Sequence, residues 1–214
     1  ETGITAQILP EFDICMETEQ NNPHHCYHVG EHILHTLPYV KADKVLRLAM
    51  LFHDIGKPRT LTVDENRVTH NHGHAAAGEE IALRIMKRLK FDNDTIDKVG
   101  RLVRYHDLKI ESSAKSIRRA VHQTGEDIFP LLFSVKYADI MAQSEYQREE
   151  KLSELEVLKN IYNTVIAEKD CLSLKELAVT GSDLLAIGMK PGREMGLTLH
   201  KLLEVVLEEP EHNQ

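Results

Sequence analysis

The segment LFHDIGKP at residues 51–58 places an imidazole, His53, beside a carboxylate, Asp54. Neutral imidazole and ionised carboxylate are ligand types that hold divalent transition ions. Before them, Val45, Leu48, Ala49 and Phe52 form an apolar stripe at helical spacing. Gly56 and Pro58 are expected to end that helix, the glycine in a left-handed conformation and the proline just beyond it. The pair would then stand where a packed helix opens into a loop. Alone it is weak evidence; its surroundings strengthen it.

Polar groups on apolar helix faces are costly to bury without partners. Asp139 follows Ile128, Leu132 and Val135 on one stripe, and His106 follows Val99, Leu102 and Val103 on another. His74 shares a face with Ala77, Gly78 and Ile81, whose small members permit a close helix contact. His32 lies one turn after His28 and just after Val29, and His28, on the same face, is an alternative to it. With His53 and Asp54 these make six metal-competent side chains on five helices, all expected to point inward. Singly, each reads as a satisfied core polar residue. Together they are hard to explain without a metal, and imidazole with carboxylate suits Mn, Fe, Co, Ni or Zn better than Mg.

The elements that must position these groups are helical. Apolar residues recur three and four apart over about 24–37, 42–55, 73–90, 93–106, 113–122, 126–145, 150–168 and 193–207. Asn93, Ser113 and Asp170 lie where caps or turns are expected. Residues 60–69 alternate around an Asp-Glu-Asn turn and are expected to form a small hairpin. Gly and Pro content rises beyond residue 170, which sets the expected division at 1–170 and 171–214, an all-α domain with a C-terminal helical extension.

Composition narrows the class. The 214 residues are 42% apolar without a long uncharged apolar run, so a globular chain off the membrane is expected. Cys15, Cys26 and Cys171 are scattered and odd in number, which suggests reduced thiols and a cytoplasmic setting. No signal peptide is evident, and a first residue of Glu suggests a start inside a longer reading frame or after a removed tag. A formal charge of −8 argues against unspecific nucleic-acid binding by the whole surface, not against a local basic site. The 13 histidines cluster at His24, His25, His28, His32 and His35, then His53, then His70, His72 and His74. Such clusters beside acids suggest metal binding.

His32, then His53-Asp54 with Gly56-Lys57, then a distant Asp139, resembles the HD superfamily of metal-dependent phosphohydrolases. The resemblance implies an HD-domain helical bundle with a single-metal set of His32, His53, Asp54 and Asp139. Two-metal members add histidines at the positions of His74 and His106, and Tyr105 stands where some subfamilies carry a further His. A second resemblance covers almost the whole chain. GITAQILPEF (3–12), QNNPHHCYHVGEH (20–32), NHGHAAAG (71–78) and above all GSDLLAIGMKPGREMG (181–196) are similar to the C-terminal half of bacterial CCA-adding tRNA nucleotidyltransferases and their poly(A) polymerase relatives. Nothing in the chain resembles that family's catalytic head, with its Gly-Gly loop and paired aspartates.

The expected reaction is metal-dependent hydrolysis of a phosphomonoester or phosphodiester, with the ion acidifying a water for in-line attack. Asp54 and His106 stand at its centre. Lys57 reads as a phosphate anchor or as a solvated lysine. His106, where it is not itself a ligand, or Asp107 would protonate the leaving oxygen. Similarity to the nucleotidyltransferases points to a nucleotide or RNA-end substrate, such as a cyclic 2′,3′-phosphate. The alternative is a non-catalytic tRNA-binding module. For it, Lys190 and Arg193 flank Pro191-Gly192 at a helix start, a phosphate site or an ordinary αα-hairpin. Homo-oligomerisation stays open.

Overall fold

Nearly all regular structure is helical in the computed structural model, which describes residues 3–24 and 26–214. His25, counted in the first histidine cluster, lies outside the described residues. In chain order the elements are α1 (Ile4–Ile8), α2 (Pro10–Glu17), α3 (Val29–Thr36), α4 (Lys44–Phe52), α5 (Lys57–Thr60), β1 (Thr62–Val63) and β2 (Thr69–His70). There follow α6 (His74–Arg88), α7 (Asn93–Tyr105), α8 (Ala114–Thr124), α9 (Phe129–Ala142), α10 (Arg148–Glu168), α11 (Gly181–Ala186) and α12 (Arg193–Glu208). The architecture is all-α, with β1 and β2 as a small antiparallel hairpin pairing Thr62 with His70 and Val63 with Thr69. Asp64 closes its turn by accepting from the Asn66 and Val68 amides. No described helix is long and apolar enough to cross a membrane.

The chain divides into two compact units, Glu1–Lys109 with Asp127–Leu155, and Ile110–Glu126 with Glu156–Gln214. In the first, α6 lies along α7, and α3 and α4 both pack on α9. Phe12, Cys15, Ile33, Phe52, Ile85 and Val103 belong to its buried cluster. Each fully buried Ile or Phe contributes roughly 1.5–3 kcal/mol, enough to hold the polar groups on the same helices in place. In the second unit Cys171, Leu177, Leu203, Val206 and Leu207 form the core, with Leu199 and Leu202 against it.

Four details differ from the sequence expectations. Helices α1 and α2 are short, and no periodicity announced them; α2 buries only Phe12 and Cys15. Helix α3 starts at Val29 rather than near 24, because the preceding backbone bonds elsewhere. Asn21 exchanges hydrogen bonds with Thr69, and the His24 carbonyl accepts from the Ser144 amide. Asp92, not Asn93, caps α7 through the Thr95 amide. Gly56 is not left-handed: it has φ −82° and ψ −15°, and Pro58 sits in the first turn of α5. The glycine is needed for proximity. A Cβ there would collide with the His74 carbonyl oxygen and come within 2.5 Å of the Gly78 amide nitrogen. That contact seats the 53–56 turn against the start of α6.

Candidate metal centre

Helix α4 buries Leu46, Ala49, Met50 and Phe52, so its last turn is anchored in the core. His53 continues the helical path as its C-cap and is 1% exposed. Its Nδ1 meets the Met50 carbonyl oxygen at 2.7 Å. The same arrangement recurs at His106, which closes α7 with Nδ1 2.8 Å from the Val103 oxygen. It recurs at His74, which opens α6 with Nδ1 2.8 Å from the Asn71 oxygen. His32, inside α3, approaches the Ala142 oxygen at 3.4 Å through Nδ1. A carbonyl acceptor fixes the Nδ1–H tautomer and leaves the Nε2 lone pair as the metal-ligating atom.

The four Nε2 atoms converge on two carboxylates. His32 Nε2 is 2.9 Å from Asp139 Oδ1 and 3.5 Å from Asp54 Oδ2. His53 Nε2 is 3.3 Å from Asp54 Oδ2 and 3.8 Å from Asp139 Oδ1. On the other side of Asp54, Oδ1 is 3.6 Å from His74 Nε2 and 3.7 Å from His106 Nε2. Asp54 therefore stands between two donor groups, His32 with His53 and His74 with His106. Within each group the Nε2 atoms face each other, at 3.3 Å and 3.1 Å. Lone pairs so placed repel unless a cation lies between them. The donor set thus fits a divalent ion, and the shared Asp54 allows for two.

Electrostatics agrees with that fit. Burial works against ionisation of Asp54, but His53, Lys57 and the hydrogen bonds of His106 and His53 outweigh it and hold the carboxyl well below the usual range. Burial likewise opposes ionisation of Asp139, and His32 overcomes it and lowers that carboxyl too. Burial outweighs the attraction of Asp54 at His74 and lowers its pKa, favouring the neutral, ligand-competent ring.

Lys57 is 6% exposed, not solvated: its Nζ lies 2.7 Å from Asp54 Oδ2 and donates to Gln20 Oε1 at 2.8 Å. A cavity of about 520 Å³ opens over the cluster, with Asp54, Lys57, His74, His106, Asp107 and Asp139 in its wall. His28 stands apart. It caps α3, its side chain is 43% exposed, and its Nδ1 faces Glu31. Lys190 and Arg193 lie in the second unit, both exposed, at the α11–α12 connection. Gly188 turns out of α11 with φ +90°, and Gly192 caps α12 without a side-chain acceptor for the first-turn amides.

Three residues at the site escaped the sequence reading. Gln20 holds Lys57, and Gln143 donates to Asp139 Oδ2 at 3.0 Å. Asn71 lines the cavity with a buried Oδ1 that has no hydrogen-bond partner among the described residues. Only Gln143 left a local signal, four residues beyond Asp139 on the same helical face.

The family model for tRNA nucleotidyltransferase domain 2 (putative) matches residues 74–214. The chain belongs to the tRNA nucleotidyltransferase family. It is 32% identical to a CC-adding tRNA nucleotidyltransferase of Thermus thermophilus, over 96% of this chain and 47% of that protein. It is 31% identical to an A-adding tRNA nucleotidyltransferase of Deinococcus radiodurans, over 94% of this chain and 48% of that protein. A bifunctional uridylyltransferase/uridylyl-removing enzyme of Ruegeria pomeroyi shares 29% identity over 54% of this chain and 14% of its own length. This family member thus spans about half the length of the two nucleotidyltransferases it matches.

Proposed function

We propose that this chain is the HD-type phosphohydrolase portion of a tRNA nucleotidyltransferase-like protein. The observation that carries this reading is the convergence of four imidazole Nε2 atoms on both sides of one buried carboxylate, Asp54. His32, His53, Asp54 and Asp139 would hold one ion, and Asp54, His74 and His106 a second, with Mn, Fe, Co, Ni or Zn favoured over Mg. A bound ion would supply Lewis-acid charge for in-line displacement at phosphorus. Lys57, held by Gln20 and Asp54, presents its ammonium in the cavity wall as the anchor for a phosphoryl oxygen. With His106 Nδ1 on the Val103 oxygen and Nε2 facing the cluster, Asp107 in the cavity wall is left as the proton donor to the leaving oxygen. Nucleotide or RNA-end phosphates, cyclic 2′,3′-phosphates among them, are the substrate class. The uridylyl-removing relative supports phosphoester cleavage as chemistry within reach of this sequence.

The test is hydrolysis of a generic phosphodiester and of a nucleoside 2′,3′-cyclic phosphate by the chelator-treated protein with each metal restored in turn. Metal-dependent turnover that Asp54→Asn abolishes is expected. No turnover of either substrate with any of these metals overturns the reading.

A second reading is favoured by the two nucleotidyltransferase relatives: a module that positions tRNA for a catalytic domain. Residues 1–170 would then form the body and 171–214 an extension bearing Lys190 and Arg193, in a cytoplasmic protein. Replacing both residues with Ala should weaken tRNA binding and flatten the log–log salt dependence by about two units. An unchanged slope leaves the α11–α12 connection a plain helical hairpin.

A further inference from the structure

A second cavity of about 520 Å³ adjoins the metal-centre cavity, and Gln143 lines both. Three aromatic residues, Tyr27, His35 and Tyr39, line it. Tyr27 and His35 stack with ring centroids 4.2 Å apart and planes at 22°. Tyr39, the last residue of the 3₁₀ turn Leu37–Tyr39 that follows α3, is 42% exposed. Arg148, the first residue of α10, lines the same cavity. Its Nη2 donates to the Gln143 carbonyl oxygen at 2.8 Å, but its Nε is buried and has no acceptor among the described residues. A buried guanidinium N–H without a partner is costly, and such a group usually marks a missing ligand atom or water. Behind Gln143, Lys151 Nζ is held by Gln143 Oε1 at 2.7 Å and by Nδ1 of His24, which lines the metal-centre cavity, at 3.0 Å.

We propose that this second cavity is a nucleobase subsite, taking a base of a single-stranded RNA end whose phosphate occupies the metal-centre cavity. The base stacks on the exposed aromatic rings, and a small shift of the Arg148 side chain toward the cavity lets a ring nitrogen or carbonyl oxygen accept from its Nε. Flat aromatic surface beside an unsatisfied guanidinium donor is the chemistry that recognises an unpaired base. The Lys151 ammonium offers a counter-charge for the backbone that crosses between the cavities. An apolar ligand would leave Arg148 Nε unpaired, and a bare anion would make no use of the rings. The placement of the phosphate rests on the phosphohydrolase reading; the base contact does not.

Cys26 supplies an independent reporter. It is exposed and lines this cavity, whereas Cys15 and Cys171 are buried. The experiment compares a fluorescein-labelled RNA hexamer ending in a 3′-phosphate with the same strand carrying abasic sugars. Affinity is read by anisotropy, and occupancy by the rate at which Cys26 reacts with a thiol reagent. The RNA should slow Cys26 labelling and the abasic strand should not. Tyr39→Ala and His35→Ala, both at exposed positions, should each weaken RNA binding about fivefold to a hundredfold and leave abasic-strand binding unchanged. Equal affinity for the two strands, with Cys26 labelled equally fast in both, overturns the subsite even in wild type. Hydrolysis of a base-free phosphodiester, measured in parallel, separates the two readings. Its absence alongside base-dependent protection of Cys26 would remove the hydrolase and keep the subsite.

Discussion

The Nε2 atoms of His74 and His106 face each other at 3.1 Å, while the Nδ1 of each ring is held by the carbonyl oxygen three residues earlier. Two rings fixed in this way cannot both aim lone pairs into the gap without a proton or a metal ion between them. At neutral pH the lowered pKa of His74 disfavours the proton. Titration calorimetry of chelator-treated protein with Mn²⁺ or Ni²⁺ should therefore find at least one ion per chain. Protons compete for the Nε2 of His74, whose pKa burial lowers, so affinity should weaken as pH falls, with the loss setting in below the ordinary imidazole range. Affinity that is flat between pH 5 and 8 would exclude the imidazoles as ligands.

Asp139→Asn separates a ligand from a structural carboxylate. The amide preserves shape and can donate its N–H to His32 Nε2, so the metal-free protein should unfold within about 1 kcal/mol of wild type. The gain in stability on adding metal, about 2.7 kcal/mol at a hundredfold excess over Kd, should largely vanish. Thermal melts with chelator and with excess Mn²⁺ read both quantities. A variant that keeps the full metal-induced shift would take Asp139 out of the site.

Gln143 orients Asp139 without lying in the donor set, through the 3.0 Å bond from its Nε2. Gln143→Leu should lower metal affinity by about tenfold to a hundredfold, the usual cost of losing a group that orients a ligand. Calorimetry at fixed pH checks this, and wild-type affinity in the variant would refute the orienting role.

Gly56→Ala should destabilise the fold by about 1–3 kcal/mol, because the added methyl meets backbone of α6 that has no rotamer to change. Urea denaturation followed by circular dichroism measures it. Loss of metal affinity is expected alongside, since the same contact seats the His53-Asp54 turn beside His74.

Arg118 ties the second unit together: Nε donates to the Leu207 oxygen at 2.7 Å, Nη2 to the Glu208 oxygen, and Nη1 pairs with Asp170 at 3.0 Å. Both side chains are almost fully buried. Arg118→Ala strands the Asp170 charge and two helix-end carbonyls, which should cost about 3–5 kcal/mol in a urea melt. Removing Asp170 as well, in Arg118→Met/Asp170→Leu, should recover part of that loss.

Much of the architecture was legible in the sequence because helix formation depends on neighbours three and four residues apart. The apolar stripes located α4, α6, α7, α9, α10 and α12 within a few residues, and the turn chemistry of Asp64 marked the hairpin. The inward positions of His32, His53, Asp54 and His106 followed from the same periodicity, since a polar residue on an apolar face goes where the face goes. The loop before α3 was read as helix because its stabilising partners are not local. Asn21 bonds to Thr69, 48 positions away, and Ser144 reaches back to Pro23 across 121.

By itself, then, the sequence determined an all-helical chain, the faces its helices bury, and the polar side chains that ride on them. Tertiary structure alone decided which of those side chains meet. His32 reaches Asp139 across 107 positions, and His74 reaches His106 across 32. Periodicity specifies a direction around one helix axis but not the rotation or height of one helix against another. Those are set by packing, here by a glycine with no Cβ at the crossing of the 53–56 turn and α6. The same limit hid Lys57's burial and the open Nε of Arg148, since solvent exposure is a property of the assembled surface and of no segment taken alone.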